Sequence, residues 1–161
     1  MSRNYKELGI NLQKIVNRLL QNDNLINLLY YTDTDPLAQP MLDMEIKKKL
    51  INDLIYITPV VGTREDSKSV IVIYVPKASV LGANSEFTNI SIIIDVLVPT
   101  QQWLIKDSNL RPFAILGAIQ ESLNGKNING LGTIEGGDFE LINTTKEITN
   151  YKQIFRITEY D

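Results

Sequence analysis

The sequence predicts a single α+β domain spanning residues 1–161, in which an antiparallel β-sheet of about four strands is flanked by helices in the order ααα-ββ-α-ββ. Three observations predict it. Apolar residues recur at helical spacing through an N-terminal helical segment, 1–58, and β-branched residues then crowd into two long runs. Gly- and Asn-rich punctuation sets off one more helix and two more strands, completing an α+β core over 59–161. A chain of this length buries a sizeable core without disulfides or metal.

The first helix is predicted from Leu8, Leu12, Ile15, Val16 and Leu19, which form one apolar stripe, with Ser2 or Asn4 as its cap. Asn22-Asp23-Asn24 interrupts it and starts a second short helix over Leu25 to Tyr31. Thr32 to Pro40, TDTDPLAQP, is turn chemistry: Asp33 and Asp35 suit Asx turns, and Pro36 disfavours helix at Asp35. Asp43 is the expected cap of a third helix carrying Ile46, Leu50, Leu54 and Ile57 inward, with Lys47-Lys48-Lys49 on its solvent side, until Pro59 ends it.

After a charged loop from Gly62 to Ser69 the pattern turns to β. Val70 to Val75 and Phe87 to Val98 are expected to pair as a hairpin whose connection, Pro76 to Glu86, is long enough to project. On the second strand Ile90, Ile92, Ile94, Val96 and Val98 share one face, and Ser91, Ile93, Asp95 and Leu97 the other, so both faces are partly apolar. A connection, Pro99 to Asn109, holds Trp103, the one tryptophan; Arg111-Pro112 then opens a helix that Asn124-Gly125 ends. Gly132 to Ile142 and Tyr151 to Tyr160 complete a second hairpin, with Gly136-Gly137 marking a bulge.

Composition narrows the chemistry. With no cysteine, disulfides, thiolate nucleophiles and thiolate metal sites are excluded; with no histidine, the commonest general base and metal ligand are missing too. The expectation is a non-enzymatic protein that needs no cofactor. The longest apolar run, Val70 to Val75, falls well short of the roughly 20 residues a membrane helix requires. The N-terminus does not read as a signal peptide. Sixteen basic against nineteen acidic residues, net −3, provide no field for specific nucleic-acid binding.

Two constellations carry a possible chemistry. Asp33, Asp35, Asp43 and Glu45 form an oxygen-only set suited to magnesium or calcium, and so to a metal-dependent hydrolase, but their spacing departs from an EF-hand and turn and cap roles explain them. GKNINGLGTIEGG, Gly125 to Gly137, lacks the P-loop Lys-Ser/Thr, and its helix-then-strand order reverses that of phosphate-binding loops; a helix end followed by a tight strand entry accounts for it.

Leu28-Leu29-Tyr30-Tyr31-Thr32-Asp33-Thr34-Asp35-Pro36-Leu37, Ile94-Asp95-Val96 leading to Trp103, Arg111-Pro112 opening a helix that ends in Leu123-Asn124, and Gly130-Leu131-Gly132 before paired strands together resemble the neck and tail-terminator (head-to-tail joining) proteins of tailed bacteriophages. The resemblance spans most of the chain and rests on scaffold phrases. It implies a virion structural protein that forms a homo-oligomeric ring, terminating the tail or joining it to the head connector. It further implies assembly in the host bacterial cytoplasm, adjacent neck, connector or tail-tube proteins as partners, and DNA passing the lumen without specific binding. Under it, the turn and the two long loops become subunit or neighbour contacts, with Asp33, Asp35, Arg64, Glu65, Asp66, Lys77, Leu81 and Glu86 as candidates. A monomeric intracellular protein-binding adaptor is the alternative.

Overall fold

In the computed structural model, which describes residues 5–58, 68–81 and 86–158, the apolar stripe of the N-terminal segment becomes helix α1 (Tyr5–Leu20), with Ile15, Val16 and Leu19 fully buried. The proposed caps Ser2 and Asn4 lie outside the described residues. Helix α2 (Asp23–Tyr30) starts at Asn22, whose side-chain oxygen accepts from the Leu25 amide while its amide group donates to Ala118 O and Ser122 Oγ. One side chain therefore caps α2 and ties it to helix α4 (Arg111–Leu123).

The third helix is shorter than its periodicity predicts. Asp43 does cap it, accepting from Ile46 N at 2.9 Å, but α3 ends at Lys49. Leu50 O then gathers the amides of Asp53, Leu54 and Ile55, Asn52 takes a positive φ of 66°, and the chain straightens into strand β1 (Ile55–Tyr56). Lys47 is also not on the solvent side: it is buried and paired with Asp23.

The predicted sheet needs correcting. It is not a four-stranded antiparallel sheet but a six-stranded mixed one, ordered β1-β2-β3-β8-β7-β6, accompanied by a separate two-stranded sheet, β4-β5. The long strands are β2 (Val70–Leu81), β3 (Glu86–Pro99), β7 (Gly132–Thr144) and β8 (Ile148–Thr158). Strand β1 runs parallel to β2, two residues of β6 (Asn127–Ile128) pair with β7, and β4 (Leu104–Ile105) pairs with β5 (Asn109–Leu110) inside the segment expected to be a plain connection. These additions are two-residue strands, too short to leave an alternating pattern. The hairpin connection is likewise shorter than expected, because Pro76 to Leu81 belongs to β2 and Glu86 to β3.

Register decides which residues face the helices. Ile94 pairs with Ile73 on one side and Gln153 on the other, and Val96 pairs with Ile71 and Tyr151, so Ile90, Ile92, Ile94, Val96 and Val98 form the core face with Phe155 and Ile157. Tyr74, Ile93, Asp95, Lys152 and Ile154 belong to the opposite, outer face. The glycine pair forms the anticipated bulge: the β7–β8 register shifts between Gly136 and Asp138, with φ of 119° at Gly136 and 112° at Gly137. A Cβ on Gly136 would sit 2.8 Å from the Ile154 carbonyl oxygen, so glycine is required there.

Candidate functional site: a free strand edge beside an aromatic cleft

Strand β7 lies at the edge of the sheet for most of its length. Strand β6 covers only Gly132 and Thr133, the Ile134 amide donates to Lys126 O, and the Gly136 amide donates to Asn124 Oδ1. From Gly137 to Thr144 no strand among the described residues pairs with β7 on its outer side. This stretch carries Phe139, Leu141 and Ile142, all exposed, Leu141 at 55%. An uncovered edge bearing large apolar side chains is a surface for strand addition.

Beside this edge, α4 and β7 enclose a cleft of about 620 Å³ lined by Phe113, Leu116, Gly117, Gln120, Gly137, Asp138, Phe139 and Gln153. Two of its lining residues, Phe113 and Phe139, belong to a cluster of four aromatic rings. Phe113 is 5.8 Å from Phe139 and 5.6 Å from Tyr151, and Trp103 is 6.2 Å from Tyr151, all centroid to centroid. Gln153, 1% exposed, donates through Nε2 to Leu116 O and Gly137 O, each at 3.1 Å, while its Oε1 has no partner. Thr149 Oγ1 and Trp103 Nε1 are buried without partners as well. Of these three, only Gln153 lines the cleft, whose remaining lining includes Phe113, Leu116 and Phe139. Of these residues the sequence marks out only Trp103; Phe139, Tyr151 and Gln153 become visible as a group once the β7–β8 register is known.

The turn expected to make contacts is held by a buried arginine. Arg111, with no exposed surface, donates from Nε to Gln102 O at 2.9 Å, from one terminal nitrogen to Leu28 O and Tyr31 O at 2.6 and 2.9 Å, and from the other to Asp33 O at 2.6 Å. Burial lowers its pKa, and the nearby Asp33 carboxylate acts in the opposite direction. Arg111 and the TDTDP turn are therefore one unit. Asp33 is exposed and accepts from Gln39 Nε2 at 2.9 Å, and Asp35 meets Lys106 Nζ at 3.4 Å. Among the described residues no group of three or more His, Cys, Asp or Glu is positioned to hold a metal ion.

The other contact candidates are scattered. Arg64, Glu65 and Asp66 lie outside the described residues; Leu81 and Glu86 are backbone partners at the far end of the β2–β3 hairpin. Lys77 is exposed, with Ser91 as its strand partner, beside a pocket of about 390 Å³ that also touches Arg156. On the same outer face Asp95 is hydrogen-bonded to Tyr74 and near Lys152; burial raises its pKa against both partners, and one carboxylate oxygen has no donor.

A model of the YomW family matches residues 22–157. The chain belongs to the YomW family. The matched span begins at the cap of α2 and takes in the Arg111 unit, both long hairpins and the aromatic cleft. No curated protein matches the chain. YomW is a Bacillus phage SPbeta-type gene family name, so this YomW member is phage-associated, as its phage resemblance leads one to expect.

Proposed function

We propose that this YomW-family protein is a structural component of the virion neck or tail, closing into a ring that terminates the tail or joins it to the head connector. It acts by assembly and docking and not by catalysis. Its partners are copies of itself and the adjoining neck, connector or tail-tube proteins, and DNA passes through the lumen without specific contacts. The observation that carries this is the sheet with an outer strand, β7, that from Gly137 to Thr144 has no outer neighbour among the described residues and bears exposed Phe139, Leu141 and Ile142. A ring is built from heterologous contacts, in which one surface meets a different surface on the next copy, and a strand edge supplies one of the two. Phage family membership is consistent with a virion location.

Light scattering after size exclusion across a concentration series, with negative-stain microscopy of any large species, tests this. Closed rings of fixed stoichiometry are the expected result. A chain that remains monomeric at every concentration overturns it and favours an adaptor that seats one protein partner in the Phe113–Phe139 cleft, a reading to which the unpartnered Gln153 Oε1 lends support.

A further inference from the structure

The sheet has two long outer strands, and each is largely unpaired on its outer side among the described residues. Strand β1 covers only Ile71 and Val72 of β2, leaving the far half of β2 without an outer neighbour, as Gly137 to Thr144 of β7 is left. We infer that Lys77–Ser79 on the β2 edge of one copy pairs antiparallel with Asp138–Glu140 on the β7 edge of the next, so that the sheet runs on from copy to copy. This rests on the ring reading and specifies its interface.

Four observations support it. Direction agrees: β2 is antiparallel to β3, β3 to β8 and β8 to β7, so β2 and β7 run oppositely. Across the sheet Lys77 stands level with Glu135, through Ser91 and Arg156, so the pairing needs a stagger along the strands; a rotation about an axis inclined to the strands supplies that stagger and brings the two edges together antiparallel. The faces also agree. Lys77 lies opposite Ser91 on the outer face, where Asp138 and Glu140 lie opposite Ile154 and Lys152; Ala78 and Phe139, opposite Ile90 and Gln153, belong to the core face.

Charge and size agree in turn. A register with Lys77 opposite Glu140 puts the ammonium between two exposed carboxylates, Glu140 directly across and Asp138 diagonally. The same register sets small Ala78 opposite large, exposed Phe139, beside the α4–β7 cleft. A two-fold pairing of β7 with its own copy would bring these carboxylates against each other. Pro76, which has no amide to donate, lies before the stretch, at the β2 irregularity between Tyr74 and Lys77.

Charge reversal tests the pairing. Wild type, Lys77→Glu, the double variant Asp138→Lys/Glu140→Lys, and the chain combining all three substitutions are compared by light scattering over one concentration series, with circular dichroism confirming that each is folded. The expected result is that each partial variant associates about tenfold or more weakly, as a swing of roughly 1.4 kcal/mol in cross-strand charge contacts requires, and that the combined chain recovers assembly. Partial variants that assemble like wild type overturn the interface while leaving the ring reading intact. Folded partial variants that stay weak even when combined overturn the pairing of these two edges. A monomeric wild type overturns the ring reading, and the interface with it.

Discussion

Replacing Arg111 by methionine removes five donors from a fully buried position where four carbonyl oxygens, those of Leu28, Tyr31, Asp33 and Gln102, depend on them. Hydrogen bonds to a charged partner contribute roughly 1.5–3 kcal/mol each, so the gross loss is about 6–12 kcal/mol. Against this, methionine avoids desolvating a guanidinium, which recovers several kcal/mol. The net expectation is about 3–5 kcal/mol of destabilisation, or a drop in Tm of roughly 6–20 °C for a domain this size. Urea and thermal unfolding measure it. Arg111→Lys sharpens the test: lysine keeps the charge and its desolvation cost but lacks the planar fork that reaches four acceptors, so it should be no more stable than the methionine variant. Faster amide exchange at Lys106, whose N–H donates to Thr34 O at 2.6 Å, should accompany either change. A methionine variant within about 1 kcal/mol of wild type, or a lysine variant indistinguishable from it, would show that the fork does not hold the turn.

Other perturbations follow from the same geometry. Gly136→Ala forces a Cβ to 2.8 Å from the Ile154 carbonyl oxygen at a φ of 119°, and should cost roughly 1–3 kcal/mol in urea unfolding; a neutral result would mean that the bulge relaxes freely. Asp23→Ala strands the buried Lys47 ammonium and, with the carboxylate partly solvated, should cost about 1–3 kcal/mol, whereas adding Lys47→Met to it should recover most of that loss; a double variant no better than the single removes this account. Burial raises the Asp95 pKa above its unfolded value, so in the window between the two the folded state holds the extra proton and stability falls as pH rises. Asp95→Asn has no such dependence, so its stability relative to wild type should increase from acid toward neutral pH; unfolding midpoints whose difference is constant with pH contradict this.

The helices and the strong strands were legible because each has a long repeat: the α1 stripe ends in three fully buried residues, and the Ile and Val alternation of β3 matches its core face residue for residue. What was not legible depends on tertiary partners. The apolar spacing of Leu50, Leu54 and Ile57 is compatible with a longer α3, but Ile55 and Tyr56 find a better place beside Ile71 and Val72 as a parallel strand, which makes the sheet mixed. Lys47 has the composition of a solvent-facing residue and is buried because Asp23 lies 24 positions away in sequence yet next to it in space. At the candidate site, Arg111-Pro112 and the TDTDP turn could be identified separately, but their hydrogen bonds to one another could not. Phe139, Tyr151 and Gln153 converge through a register that a bulge shifts by one residue, and local pattern does not encode that shift.

The β3–β8 seam has a consequence for how the chain is made. Each long hairpin can zip locally, yet the two meet only where Asn89 to Pro99 pairs with Thr158 to Ile148, and α4 lies between them in sequence. As synthesis proceeds from the N-terminus, β3 is complete well before its second neighbour exists, and one of the most isoleucine-rich strands in the chain waits with an open edge until the last strand emerges. Intermolecular strand pairing competes during that interval, so the yield of folded subunit should depend on how crowded the translating cell is with copies of the same unfinished chain.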